Sequence, residues 1–162
     1  MFLFGFFKWI LIGIIAFIII TVSSISTGWK LPKDEIINAY NTFLQSFDFA
    51  GLSKDKDLEG ERSFGIDKYV GTYKAEYYNV TSEETIFGGT ALNRKNGEYV
   101  NLKIKIEKES GSINVIAKLV NNEISLINEN GEYEDNLYIE GGSYYLTIKL
   151  DNFKGNIDIN AE

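Results

Sequence analysis

The stretch Asp55-Lys56-Asp57-Leu58-Glu59-Gly60 sets three carboxylates at alternate positions ahead of a glycine. Alternating oxygens before a turn are what a calcium loop needs, because the turn gathers them around one hard cation. Continued as an EF-hand, such a loop would want a bidentate Glu at its twelfth position, and the chain has Ile66 there. Asp55, Asp57 and Glu59 are therefore metal candidates without a completing ligand, and a charged linker facing water accounts for them as well. A second group, Asn130, Glu132, Glu134 and Asp135, falls within nine polar residues. Two carboxylates held across a cleft can act as acid and base in glycoside hydrolysis. A polar loop between strands has the same composition. Neither cluster calls for a cofactor.

Other chemistry is excluded outright. The chain contains no histidine and no cysteine. Triads built on Ser-His or Cys-His cannot be assembled from one chain, nor can a thiolate or imidazole zinc site. The segment Phe87-Gly88-Gly89-Thr90 lacks the Lys and the following helix of a phosphate loop and reads as close packing. Tyrosines are the remaining resource. Tyr77, Tyr78, Tyr133, Tyr138 and Tyr145 could face a sugar or peptide as an aromatic platform, although Tyr also enters strands for packing alone.

Most of these residues would have to be carried by strands. Val100, Leu102, Ile104 and Ile106 alternate with Tyr99, Asn101, Lys103 and Lys105, which is the period of a half-buried strand. Ile113, Val115, Ala117 and Leu119 repeat it, as do Leu137 with Ile139, then Tyr144, Leu146, Ile148 and Leu150, and finally Ile157 with Ile159. Turn signals fall at Asn96-Gly97, Ser110-Gly111, Asn121-Asn122, Asn130-Gly131, Gly141-Gly142 and Lys154-Gly155. With further candidates at 69–80 and 85–93, the pattern predicts about eight short strands and a mainly β domain over 63–162, an antiparallel β-sandwich.

Residues 29–62 read as an amphipathic helix over 32–48 followed by a linker. Pro32 suits a first helical turn, and Asp34 and Glu35 suit its dipole. Ile36, Ile37, Tyr40, Phe43, Leu44 and Phe47 make the apolar stripe; Asn38, Asn41, Thr42, Gln45 and Ser46 make the polar face. That face has no Lys or Arg, so the stripe is expected on the following domain, on a partner protein or on a second copy rather than on anionic lipid.

Near the end, Gly142-x-Tyr144-Tyr145-Leu146-x-Ile148 and Gly155-x-Ile157-x-Ile159 resemble the last two strands of bacterial pre-peptidase C-terminal domains. The resemblance covers residues 137–160. Those domains are jelly-roll-like sandwiches attached to secreted enzymes, so the resemblance implies a jelly-roll-like sandwich and no activity of its own.

Residues 1–8 flank an apolar run at 9–28, from Trp9 through Ile20 and on to Ile25, with only Gly interrupting before Thr21. A spanning helix takes about 20 apolar residues. Lys8 can snorkel to one interface while Trp9 and Trp29 bracket the segment at the two interfaces. A signal peptide shares the outline, but its start would be less greasy and its cut site richer in Ala. The expectation is a retained single-pass anchor in the lipid bilayer of a bacterial cell membrane, with the carboxyl-terminal domain outside. The net charge is −7, and Lys8 aside the rest is more acidic still. Phosphate backbones repel such a surface, so nucleic acid is not an expected partner. The expected function is a non-enzymatic, membrane-anchored module that binds an envelope component or a partner protein. The alternatives are a carboxylate enzyme on envelope polysaccharide, glycosidase-like or calcium-assisted, and a secreted protein freed by cleavage.

Overall fold

The computed structural model describes residues 33–45, 51–120 and 122–162. The apolar run, with Lys8, Trp9 and Trp29, lies outside them, and among the described residues no helix is long and apolar enough to cross a membrane. The chain forms two compact units, Met1–Ala39 and Tyr40–Glu162. Helix α1, Lys33–Gln45, begins in the first with Asp34 and Glu35 in its first turn and ends in the second. Within the second unit its exposure departs from the expected stripe. Tyr40 and Phe43 are exposed, while Asn41 is buried with its side-chain oxygen accepting the Leu92 N–H at 2.9 Å. The physical reason is that a main-chain donor left unpaired in a packed loop costs more than two partly wet aromatics.

The rest is mainly β. Six antiparallel strands form one sheet: β1 (Glu61–Phe64), β2 (Gly71–Gly89), β3 (Tyr99–Leu119), β4 (Glu123–Ile127), β5 (Gly131–Tyr138) and β6 (Tyr144–Ala161). The order is β1-β2-β6-β3-β4, with β5 also on β3. The sequence predicts about eight short strands; the difference lies in three fusions and in two strands, β1 and β4, that the alternation did not mark. The candidates at 69–80 and 85–93 run together as β2, the two alternating runs at 99–119 as β3, and those at 144–159 as β6.

These long strands are not straight. Tyr73 and Glu84 are eleven residues apart on β2, a distance of about 36 Å if the strand were extended. Their side-chain oxygens lie 2.7 Å apart. β2 must therefore double back, and its neighbours bend with it at the same level. Pairing registers slip at Tyr78/Val80 and Val80/Ser82 between β2 and β6, and at Lys108/Ser110 and Ser110/Ser112 between β3 and β6. Asn79 and Asn152 take left-handed backbone there, with φ of 57° and 46°. In the fourth layer of strands the chain breaks between β4 and β5, and the Asn130 side chain accepts the Lys108 N–H at 2.9 Å. One fold line of bulges thus crosses the sheet, which is how a large sheet turns a corner. Two glycines on it are required. Gly111 has φ +74° and Gly155 φ +149°, and a Cβ on either would stand 2.1 or 2.2 Å from a neighbouring strand's carbonyl oxygen.

The two halves enclose one core. Val100, Leu102, Ile104 and Ile106 from β3, Leu146, Ile148, Ile157 and Ile159 from β6, and Tyr73, Tyr77 and Phe87 from β2 are all buried in it. The outward face beyond the corner carries a row of alternating sign read across five strands: Glu61, Lys74, Asp158, Lys105, Glu132. Lys74 and Asp158 meet at 2.6 Å, whereas Lys105 turns to Glu107 at 2.8 Å. Such exposed pairs contribute little stability. They keep that face in water.

Candidate functional site

Doubling the sheet over brings the ends of its two halves together, and three connections meet there. Residues 65–70 follow β1, 90–98 follow β2, and 139–143 follow β5. Main-chain bonds fasten them: Ile139 N–H to the Glu98 oxygen at 2.7 Å joins two of the connections, Gly88 N–H of β2 holds the Lys68 oxygen at 2.8 Å, and Gly65 N–H closes the first connection on the Val70 oxygen at 2.8 Å. The strongest tie is ionic. Arg94, almost wholly buried, forks onto the Asp67 carboxylate through Nε at 2.8 Å and Nη2 at 3.2 Å. Its Nη1 donates to the Tyr99 carbonyl at 2.9 Å. Asp67 also accepts from Asn96 Nδ2 and from the Tyr69 N–H, both at 2.9 Å. Burial alone would raise the Asp67 carboxyl; Arg94 and Asn96 outweigh it and hold the group below its ordinary value. The guanidinium lies over the Tyr69 ring at 5.3 Å, and that ring stacks on Tyr144 at 6.5 Å. A depression of about 250 Å³ opens beside this clamp, lined by Asp67, Lys68, Tyr69, Ala91, Arg94 and Lys95.

Loops pinned in this way present apolar side chains to solvent. Ile66 is 77% exposed and Leu92 51%, and Val120, in the turn after β3, is 53% exposed. Tyr99 and Tyr138 stand opposite each other on β3 and β5, both exposed, with ring centroids 5.4 Å apart. Most loop tips are polar; apolar side chains held rigidly in water are what a binding surface needs.

The sequence candidates are dispersed. Of the five tyrosines, only Tyr138 sits in this aromatic pair. Tyr78 is exposed near the corner with its hydroxyl on Glu76, and Tyr133 is half-buried and directed at Asp135 at 3.4 Å. Tyr145 is half-buried, its hydroxyl 2.9 Å from that of Thr90. Tyr77 is 1% exposed in the core, so it faces no ligand. Asp55 is engaged by Arg62 at 2.6 Å, and Asp57 and Glu59 are exposed around a 3-10 turn. Among the described residues no three His, Cys, Asp or Glu side chains are placed to hold a metal. Asn130 accepts the Lys108 amide, and Glu132, Glu134 and Asp135 lie along β5 rather than in a hairpin loop, with Glu134 paired to Lys103 at 2.9 Å. Asp67, Arg94, Ile66 and Leu92 escaped the reading of the sequence.

A second polar group is buried at the corner. Glu84, 1% exposed, accepts from Tyr73 at 2.7 Å and Tyr77 at 2.9 Å on one oxygen and from Ser82 at 3.3 Å on the other. Among the described residues no cation pairs with it, and these three partners all lie on β2, so its work is to hold the doubled strand. Burial pushes the Tyr73 and Tyr77 hydroxyls well above their ordinary 10.0, and does the same to Tyr144. A phenol raised in the folded state keeps a proton that the unfolded chain releases, so stability present below pH 10 is lost as the pH rises through and beyond it. Alkaline titration should show tyrosinate absorbance from these three appearing together with loss of the β-sheet circular dichroism. Their ionisation ahead of unfolding would contradict the burial described.

No protein-family model and no curated protein matches the chain. Among solved structures it is similar to a chain in the crystal structure of Drosophila melanogaster CENP-C bound to CAL1, at 15% identity and a TM-score of 0.30, covering 79% of this chain and 99% of that one. The Drosophila melanogaster CENP-C cumin domain follows at 12% identity and 0.25, covering 81% and 100%. Likeness of that size assigns neither fold family nor partner.

Proposed function

We propose that the chain is a non-enzymatic binding module, tethered to a bacterial membrane by its amino-terminal apolar segment and displayed on the outer side. Its clamped loop end engages a partner protein or envelope component. The observation that supports this most is the exposure of Ile66 and Leu92 on connections locked by Arg94 and Asp67, beside the exposed Tyr99 and Tyr138 at the adjoining ends of β3 and β5. Rigid apolar anchors lose little entropy on binding, the usual basis of a small hot spot. The likeness of residues 137–160 to pre-peptidase C-terminal domains favours a jelly-roll-like sandwich. A carboxylate enzyme is the second reading; against it, Glu134 is committed to Lys103 on the outward sheet face.

The test uses the full chain in the cells that make it, with a photoreactive residue placed at Leu92 or Tyr138 and, as control, at Lys74. The first two should yield the same discrete adduct and Lys74 none. Adducts equally abundant from all three positions, or from none, would remove the loop end as the binding surface. Alkaline extraction of the same membranes should leave the full-length chain in the pellet, whereas a shortened form in the medium would favour signal cleavage.

A further inference from the structure

The chain holds two Asn-Gly pairs in nearly the same local sequence, Lys95-Asn96-Gly97-Glu98 and Glu129-Asn130-Gly131-Glu132. Asn before Gly is the arrangement most open to attack on the side chain by the main chain, because Gly puts no Cβ beside the approaching nitrogen. Both glycines have open space where a Cβ would stand, so crowding does not separate the pairs. Secondary structure does. The Asn130 side-chain oxygen accepts the Lys108 N–H at 2.9 Å, and Gly131 is the first residue of β5, paired with Ile106. The Asn130 carboxamide can turn onto the Gly131 nitrogen only when that end of the ladder opens. Asn96 and Gly97 are instead both exposed in the connection after β2, outside any strand. No ladder restrains them.

We propose that Asn96 is a site of spontaneous deamidation whose product releases the clamp at the loop end. The Gly97 main-chain nitrogen gives its proton to solvent base and attacks the Asn96 side-chain carbonyl carbon. The new C–N bond closes a succinimide ring as the C–Nδ2 bond breaks, and ammonia leaves with a proton from water. Water then opens the ring at either carbonyl, leaving Asp or isoaspartate at position 96. Nothing beyond solvent is consumed. The consequence falls on Asp67. As an amide, Asn96 donates to Asp67 Oδ2, the oxygen that also receives Arg94 Nε. As a carboxylate it donates nothing and sets a second negative charge against the first, and like charges that close disfavour each other. Isoaspartate also lengthens the main chain of the turn. Either product pushes 90–98 away from 65–70, the two connections that carry Leu92 and Ile66. The inference needs neither the anchor nor a loop-end ligand to be correct.

The test keeps the full-length protein in warm, mildly alkaline buffer with detergent and follows both Asn-Gly pairs by peptide mapping in a mass spectrometer. Conversion at Asn96 should outrun that at Asn130, since a ladder opening that costs even about 1.4 kcal/mol slows a reaction about tenfold. In urea the two should convert at similar rates. Asn96 unchanged, or no faster than Asn130 in the folded protein, would overturn the site, and a gap that persists in urea would place the difference in the sequence rather than the fold. Two variants test the release. Asn96→Ala and Asn96→Asp both lose the donor, and only the second adds the charge. Amides of 65–70 and 90–98 should exchange with solvent several-fold faster in Asn96→Asp than in Asn96→Ala. Equal exchange in the two would overturn the opening of the clamp.

Discussion

Glu84→Ala should lower the unfolding free energy by about 3–5 kcal/mol, from the cavity left behind together with a buried hydroxyl deprived of its acceptor. Only one hydroxyl is stranded, because Tyr73 and Tyr77 are already 3.0 Å apart and can bond each other. The loss arises at the corner of β2, where side chains eleven residues apart are joined. Glu84→Gln should behave quite differently. Every neighbour of this carboxylate donates to it, so the position asks for acceptors rather than for charge. A carboxamide oxygen can receive both tyrosines, and its NH2 can turn to Ser82, whose hydroxyl also accepts. Removing a charge that has no cation beside it costs nothing in pairing, so Gln should fall within about 1 kcal/mol of the parent. Urea unfolding of the full-length protein measures both. A Gln variant as weak as the Ala variant would mean that the negative charge itself is needed at the corner.

That corner is also where the sequence was hardest to read. The alternation of Val100, Leu102, Ile104 and Ile106 assigned the buried face of β3 correctly, and the same period placed Leu146, Ile148, Ile157 and Ile159 in the core. Period two reports which face is buried and is silent on whether the next run belongs to a new strand. Asn-Gly and Lys-Gly signals mark a backbone that needs unusual φ, and hairpin turns and bulges share that need. Asn96-Gly97 and Gly141-Gly142 do lie between strands. Ser110-Gly111 and Lys154-Gly155 instead lie inside β3 and β6, at the corner, with Asn130-Gly131 beside them where β4 gives way to β5. Three of the signals taken as chain reversals are thus one bend crossed by successive strands, a coincidence visible only once the register is known.

The candidate site was less legible for a related reason. Asp67 and Arg94 are 27 residues apart in two connections that nothing in the local pattern joins. A tyrosine count could not separate Tyr77, whose ring packs edge-on against Phe153 at 5.6 Å, from Tyr138, which faces water, since both obey strand alternation. Only the direction in which the sheet doubles over decides which becomes core.

Arg94→Met should cost about 2–4 kcal/mol, somewhat below the usual loss for breaking a fully buried pair, because Asp67 retains 19% side-chain exposure and water can reach it. The methionine fills much of the volume but leaves the Tyr99 oxygen without its donor and Asp67 with only Asn96 and the Tyr69 N–H. Arg94→Lys should recover part of the loss at most, since one ammonium cannot span both the carboxylate fork and the carbonyl. The pH dependence should shift with it. In the parent the Asp67 carboxyl is held below its ordinary 3.8, so its contribution is present above that pH and lost only as the pH falls through the lower folded value. Without Arg94, burial is left to push the carboxyl upward, and the acid limb of the stability curve should begin at higher pH. Hydrogen exchange separates a clamp from a mere packing defect. Amides of 65–70 and 90–98 should exchange faster in Arg94→Met while those of Ile104 and Ile148 hold their protection relative to the global stability. If the loop amides keep theirs too, the three connections are held by their main-chain bonds alone, and the apolar tips at Ile66 and Leu92 owe their rigidity to something other than this ion pair.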